Sequence, residues 1–177
     1  MTNDETARLI VRRLSALGET EIAQLADVLI DCVAGGASVS FMQPMTSDKA
    51  TAFWRGLKAD VASGARILLV AEDAEGILGT VQLVLAQPDN QPHRADISKM
   101  LVHRRARQQG VGSALMREAE LSARQHNKTL LVLDTASPEA ERIYQRLGWI
   151  KAGTVPDYAL LPQGGLCDTH FYYRKLT

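Results

Sequence analysis

An excess of charge of either sign is missing from this sequence. Lys plus Arg and Asp plus Glu number 20 each, so the formal net charge is zero. Long-range attraction to nucleic acid or to an anionic membrane surface is therefore not indicated. Cysteine is nearly absent: Cys32 and Cys167 are far apart and fit no metal-ligand spacing. A disulfide between them stays open, but a chain of this size has no need of a staple, and free buried thiols are the expected state. His93, His103, His126 and His170 are scattered without metal spacing, so no metal is expected. No apolar run approaches membrane-spanning length. The opening "MTNDETARLIVRRL" lacks a cationic region followed by an apolar stretch and a cleavage site. Internal repeats and low-complexity segments are also missing. What remains is the profile of one soluble domain over residues 1–177, cytoplasmic, with 46% hydrophobic and 23% charged residues.

Hydrophobic spacing then divides the chain. "ARLIVRRL" (7–14) reads as a first strand, and Ile22, Leu25, Ala26, Leu29 and Val33 fall at helical spacing. "AGGASVSFMQPM" breaks that helix, and a second follows with Ala50, Phe53, Trp54, Leu57 and Val61 on one face. Strands are expected at 65–73 and 77–86, joined as a hairpin through Gly76, and at 94–102. A glycine loop leads into a helix carrying Val111, Leu115, Ala119 and Ala123. "TLLVLDT" (129–135) is a strand covered on both faces. "SPEAERIYQRLGW" opens on a serine cap with proline behind it and closes at Gly148, a short helix. Two strands end the chain, one near 150–155 and one over 167–176. The order βααβββαβαββ predicts a mixed α/β sheet with antiparallel hairpins and one strand–helix–strand unit.

The glycine loop, "HRRARQQGVGSALM", carries the chemistry. A helix start after a strand and a loop gathers backbone N–H groups and a positive dipole end, a natural seat for phosphate. Gly110 and Gly112 permit unusual torsions and remove side chains that would block close approach. Arg104, Arg105 and Arg107 add positive charge, which points to a small anionic ligand. The plainer alternative is a tight glycine-capped turn with a solvated basic edge. The loop lacks the Gly-Lys-Ser/Thr ending of a triphosphate loop and the third glycine of a dinucleotide fingerprint.

The full stretch resembles the acyl-coenzyme A signature of the GNAT N-acetyltransferases, Q/R-x-x-G-x-G/A, filled here by Arg107, Gln108, Gln109, Gly110, Val111 and Gly112. "SPEAERIYQRLGW" resembles the family's second motif, N-x-x-A-x-x-x-Y-x-x-x-G-F, with Ser137 for its asparagine and Trp149 for its phenylalanine. The resemblance covers nearly the whole chain. It implies a GNAT fold: a mixed, mostly antiparallel sheet splayed between its fourth and fifth strands and flanked by helices. It implies acetyl-CoA as co-substrate, held by residues 107–112, Ser113 and Ser137. Backbone groups of Met100, Leu101 and Val102, freed by the splay, would pair with the pantetheine arm and the thioester oxygen.

Acetyl transfer to an amine needs the ammonium proton removed, because an alkyl amine titrates near lysine, roughly 10.4. Asp96, where several GNAT members carry a glutamate base, and Asp134, at the end of the other central strand, could share that task directly or through water. The alternatives are an edge residue for Asp96 and a helix-capping or turn acid for Asp134. Tyr144 falls on the motif tyrosine, whose phenol can protonate a departing thiolate; otherwise it is a half-buried aromatic. Cys32 reads as core rather than as half of a thiol–imidazole pair, and Trp54 also reads as core. The loop with Ser38, Ser40 and Phe41 and the turn "LPQGGLCD" are the segments that could line a substrate pocket. The expected activity is acetylation of a small amine, a toxin or antibiotic, by direct attack in a ternary complex. A non-catalytic CoA-binding sensor and a protein N-acetyltransferase remain the other readings. Family relatives are often dimers, so a homodimer is one expected assembly.

Overall fold

The computed structural model describes residues 9–177, so residues 7 and 8 of the expected first strand lie outside the described residues. Seven strands form one sheet in the order β1-β2-β3-β4-β5-β7-β6. They are β1 (Ile10–Leu14), β2 (Arg66–Asp73), β3 (Gly76–Val84), β4 (Arg94–Val102), β5 (Leu130–Thr135), β6 (Ile150–Leu160) and β7 (Leu166–Lys175). Five helices cover it: α1 (Glu19–Ala34), α2 (Ser47–Arg55), α3 (Lys58–Ser63), α4 (Val111–Gln125) and α5 (Pro138–Arg146). Among the described residues only β4 and β5 run parallel.

Alternation in β2 shows how the two faces are made. Ile67, Leu69 and Ala71 join a core with Val111, Leu115, Met116 and Ala119 of α4. Leu68 and Val70 turn the other way, to Ile22, Leu25 and Leu29 of α1 and Trp54 of α2. Each fully buried Leu or Ile here contributes about 1.5–3 kcal/mol over exposure. The expected second helix is two helices. Its apolar spacing is continuous, but Gly56 and Leu57 interrupt it, and α3 restarts at Lys58 with Val61 on the same core. The final hairpin is longer than expected, because β6 runs on to Leu160 as the edge strand of the sheet.

The feature that opens the sheet is a bulge in β4. Gln82 pairs with Ser98 and Thr80 with Leu101, so one residue of β3 faces both Lys99 and Met100. Lys99 takes φ +49° there. The extra residue reverses the strand's facing: Ile97 packs with α4, whereas Leu101 packs with α1. A bulge also bends its strand and ends pairing. β4 and β5 pair only over Arg94–Asp96 and Leu130–Val132, and beyond that they part. The expected splay is present, and a bulged lysine marks where it begins.

Candidate active site

Three features converge on the opening between β4 and β5, and the first is the start of α4. Gly110 precedes the helix with φ +80°, and no side chain caps it. Ala114 N–H closes the first turn on Gly110 O, which leaves the N–H groups of Val111, Gly112 and Ser113 without acceptors inside the helix. Gln108 is also left-handed, with φ +61°, so the loop turns successive N–H groups to one side as anion-binding nests do. The two glycines act differently. Gly110 meets the expectation of an unusual torsion, and a Cβ on it would touch nothing within 4 Å. Gly112 corrects it: the residue is helical, and what matters is its missing side chain. A Cβ there would lie 2.8 Å from Ile143 Cδ1, 3.5 Å from Met100 Sδ and 3.7 Å from Val102 Cγ2.

The basic cluster also needs correction. Arg104 is held by Asp31 through its backbone N–H and its guanidinium, and Arg105 pairs with Asp73 and Glu75. Neither charge is free for a ligand. Arg107 lies across the opening, its Nε donating to Val102 O at 3.3 Å and its Nη2 4.0 Å from Asp31. Gln109 Nε2 donates to Arg105 O and steadies the loop.

The second feature is the outward-facing backbone of β4. His103 N–H donates to Leu78 O on β3, and antiparallel ladders alternate. Leu101 is therefore committed to its partner Thr80, while Met100 and Val102 turn N–H and C=O towards the gap. The Val102 carbonyl accepts from Arg107 and, at 3.5 Å, from the Cys32 thiol. Cys32 is buried as expected, and burial pushes its thiol up. Both cysteines are free.

The third feature lies past the split on β5. Asp134 follows Val132, the partner of Asp96, by two residues on the same face. It lines a cavity of about 110 Å³ with Ser38, Ser40, Tyr158, Cys167 and Thr169 among others. The buried Thr169 donates its hydroxyl to Asp134 Oδ2 at 2.8 Å. Tyr144 is 4% exposed, between Trp149 and Tyr172 with ring centroids 5.9 Å away on each side. Burial pushes its phenol well above 10, and the charge of Asp134 adds to the shift. Asp96 is placed differently. Its carboxylate is ion-paired with Arg94 and accepts from Gln87 Nε2 at 3.3 Å, and it does not line the cavity. Ser137 caps α5 by accepting from Ala140 N–H at 3.2 Å. A wider depression of about 310 Å³ beside Arg105, Glu75 and Asp27 contains none of the other expected site residues. Trp54 is fully buried.

Thr169, Lys99 and the cavity-lining Tyr158 escaped the sequence reading. Thr169 orients Asp134 across a strand pair 35 residues apart, which no local pattern reports. Lys99 did leave a signal: it stands where the alternation of Ala95 and Ile97 calls for an apolar residue, the mark of a bulge.

Comparison with known proteins fits this geometry. Residues 64–151, which span β2 to the start of β6, match the sequence model of the acetyltransferase (GNAT) domain. An N-acetyltransferase from Staphylococcus aureus Mu50 superposes with TM-score 0.79 at 20% identity, covering 97% of this chain and 100% of that one. yncA of Salmonella typhimurium, assigned as an acetyltransferase and solved with its cofactor acetyl-CoA, superposes with TM-score 0.76 at 17% identity over 97% and 95%. A protein assigned as a phosphinothricin N-acetyltransferase gives TM-score 0.77 at 19% identity over 96% and 99%. At these identities the structural likeness establishes the fold alone, and the domain match agrees with it over residues 64–151. The chain thus matches the acetyltransferase (GNAT) domain over residues 64–151 and shares the fold of these solved acetyltransferases.

Proposed function

We infer that the protein acetylates a small amine, a toxin or antibiotic, and that it does so as one catalytic domain in the cytoplasm. Tabtoxinine-β-lactam, a toxic amino acid, is the candidate acceptor, and resistance to it the corresponding role. The observation that carries this reading is the Asp134 cavity. Its 110 Å³ is the room of three or four waters at roughly 30 Å³ each, which suits the amine end of a small molecule. No helix among the described residues is long and apolar enough to cross a membrane.

The N–H groups at the start of α4 fit the phosphates of acetyl-CoA, and the absence of a side chain at Gly112 lets that helix start lie close to Met100 and Val102, where the arm would run. Residues 107–113 would hold the phosphates, and the backbone of Met100 and Val102 the arm, after Arg107 releases the Val102 carbonyl; Leu101, bonded to Thr80, would not take part. Ser137 caps α5 with its hydroxyl, and its N–H and C=O are taken by Thr135 Oγ1 and Glu141 N–H, so its part would be to fix the start of α5 beside the arm. The bound thioester supplies an activated acetyl group. Asp134 takes the proton of the acceptor ammonium on Oδ1, since Thr169 occupies Oδ2. Asp96, already paired with Arg94, contributes charge near the cleft rather than proton transfer. Tyr144 keeps its proton throughout the working pH range and donates a hydrogen bond as negative charge grows on the departing sulfur. Full transfer from so weak an acid to a thiol of about 8.5 is uphill. A homodimer joined along β6 suits the apolar groups exposed there, Ile150, Val155, Tyr158 and Leu160.

The test is a panel of amines, with β-lactam amino acids and aminoglycosides included. CoA release is followed by thiol detection and product by mass. One CoA per acetylated amine supports the reading. Tight acetyl-CoA binding with no turnover on any amine would make the protein a CoA-binding sensor.

A further inference from the structure

Lys99 holds beside the cavity, through Ser40 of its lining, a positive charge that the chemistry of acetyl transfer leaves unused. The bulge fixes its backbone at φ +49°, and its ammonium donates to Ser40 Oγ at 3.2 Å. Ser40 lines the cavity of Asp134 and has φ +78°. Left-handed torsions are unfavourable for residues with a Cβ, and such residues gather at ligand clamps. Here two of them, on separate segments, are bonded to each other beside one cavity. The rings of Phe41 and Phe53 lie 6.0 Å and 5.9 Å from the ammonium and pack edge-on against each other at 5.1 Å. Aromatic faces attract a cation without cancelling its charge. Among the described residues no carboxylate forms an ion pair with Lys99. Burial disfavours its charged form, Asp134 opposes that shift and Arg66 adds to it. A half-buried cation in this setting feels the charge of Asp134 but is paired with no carboxylate, and an anionic ligand would supply a direct partner.

We propose that Lys99 and Ser40 form a seat for a carboxylate on the acceptor, so that the substrate is an amino acid or a similar amine bearing an acid group. The amine then turns to Asp134 and the acid to Lys99, and the two charges fix which end of the molecule meets the acetyl group. This rests on the cavity being the acceptor site. It also selects within that reading, because a polyamine or an aminoglycoside brings no anion to the seat.

The experiment measures CoA release with free L-amino acids, β-lactam amino acids included, each paired with its carboxamide. The expected result is an acid-over-amide preference in kcat/KM of about ten- to a hundredfold, the worth of one charge-assisted hydrogen bond. That preference should collapse towards one in Lys99→Met and recover in part in Lys99→Arg. Ser40→Gly, which relieves a strained torsion on an exposed loop, provides the same ratio should Lys99→Met fold poorly. Equal use of acid and amide by the native enzyme, or a preference that survives in folded Lys99→Met, overturns the carboxylate seat and leaves the acetyltransferase reading standing. No CoA release with any amine overturns both.

Discussion

Gly110 and Gly112 are two residues apart in one motif, yet their replacement should fail in opposite ways. At Gly110 an added Cβ meets nothing within 4 Å, but φ is +80°. Gly110→Ala therefore costs about 1–2 kcal/mol of left-handed strain and crowds no neighbour. At Gly112 the backbone is helical, so Ala gains about 0.8–1.0 kcal/mol in helix propensity. Its Cβ would come within 2.8 Å of Ile143 Cδ1, and overpacking of that kind costs about 1–3 kcal/mol. Ile143 Cδ1 is the far end of a flexible side chain and can rotate away, so the net loss is about 0–2 kcal/mol. For a chain of this size that is at most about 8 °C in Tm. The displaced Ile143 and the new methyl push the start of α4 away from Met100 and Val102, so acetyl-CoA should bind about ten- to a hundredfold more weakly, and more weakly still in Gly112→Val. Calorimetric titration with acetyl-CoA, alongside thermal unfolding, separates the two. Gly110→Ala should lose stability and keep most of its affinity, whereas Gly112→Ala should keep most of its stability and lose affinity. A folded Gly112→Val protein with undiminished affinity would refute the placement of the coenzyme.

Tyr144→Phe should lower single-turnover acetyl transfer with acetyl-CoA affinity intact, and a change confined to KM would make the tyrosine an acceptor contact instead. Among the described residues the phenol makes no hydrogen bond and its pKa is raised above the usual 10, so the native state holds a proton that the unfolded chain releases above pH 10. Stability from this group is full below pH 10 and falls as pH rises beyond it, and Tyr144→Phe should flatten that decline in alkaline melts. Asp134→Asn should reduce kcat by about 10²- to 10⁴-fold, the usual range for a general base, and remove the acidic limb of the pH–rate profile. Asp96→Asn, tied to Arg94, should cost less, and the two losses should multiply in the double variant because the carboxylates share no partner. Thr169→Val frees Oδ2 of Asp134 and should lower kcat several-fold with acetyl-CoA affinity unchanged; an altered CoA affinity would count against its positioning role.

The motif residues were legible because local chemistry decides them. Glycine at 110, the Ser137–Pro138 cap and the apolar spacing of α4 each answer to a rule that acts within a few residues. The split of the expected second helix was hidden because its apolar face, from Ala50 through Leu57 to Val61, is continuous and only the backbone breaks, at Gly56 and Leu57. The basic loop misled for a different reason. Asp31, Asp73 and Glu75, which neutralise Arg104 and Arg105, are at least 30 residues away in sequence and meet them only through α1 and the β2–β3 turn. Asp96 and Asp134 looked equivalent as strand carboxylates. The sheet separates them, because Asp96 sits in the last paired rung beside Arg94 while Asp134 lies beyond it, where the strands have parted.

The central claim is direct acetyl transfer, within one ternary complex, to an amine held at Asp134. Its most direct measurement is a single-turnover experiment with acetyl-labelled acetyl-CoA and excess enzyme, quenched before and after addition of an accepted amine, for the native protein and Asp134→Asn. The account predicts no label on the native protein before the amine arrives, complete passage of label into the amine afterwards, and a strongly slowed passage in Asp134→Asn. Label fixed on the protein before the amine is added, or equal rates in the two proteins across pH, would contradict it.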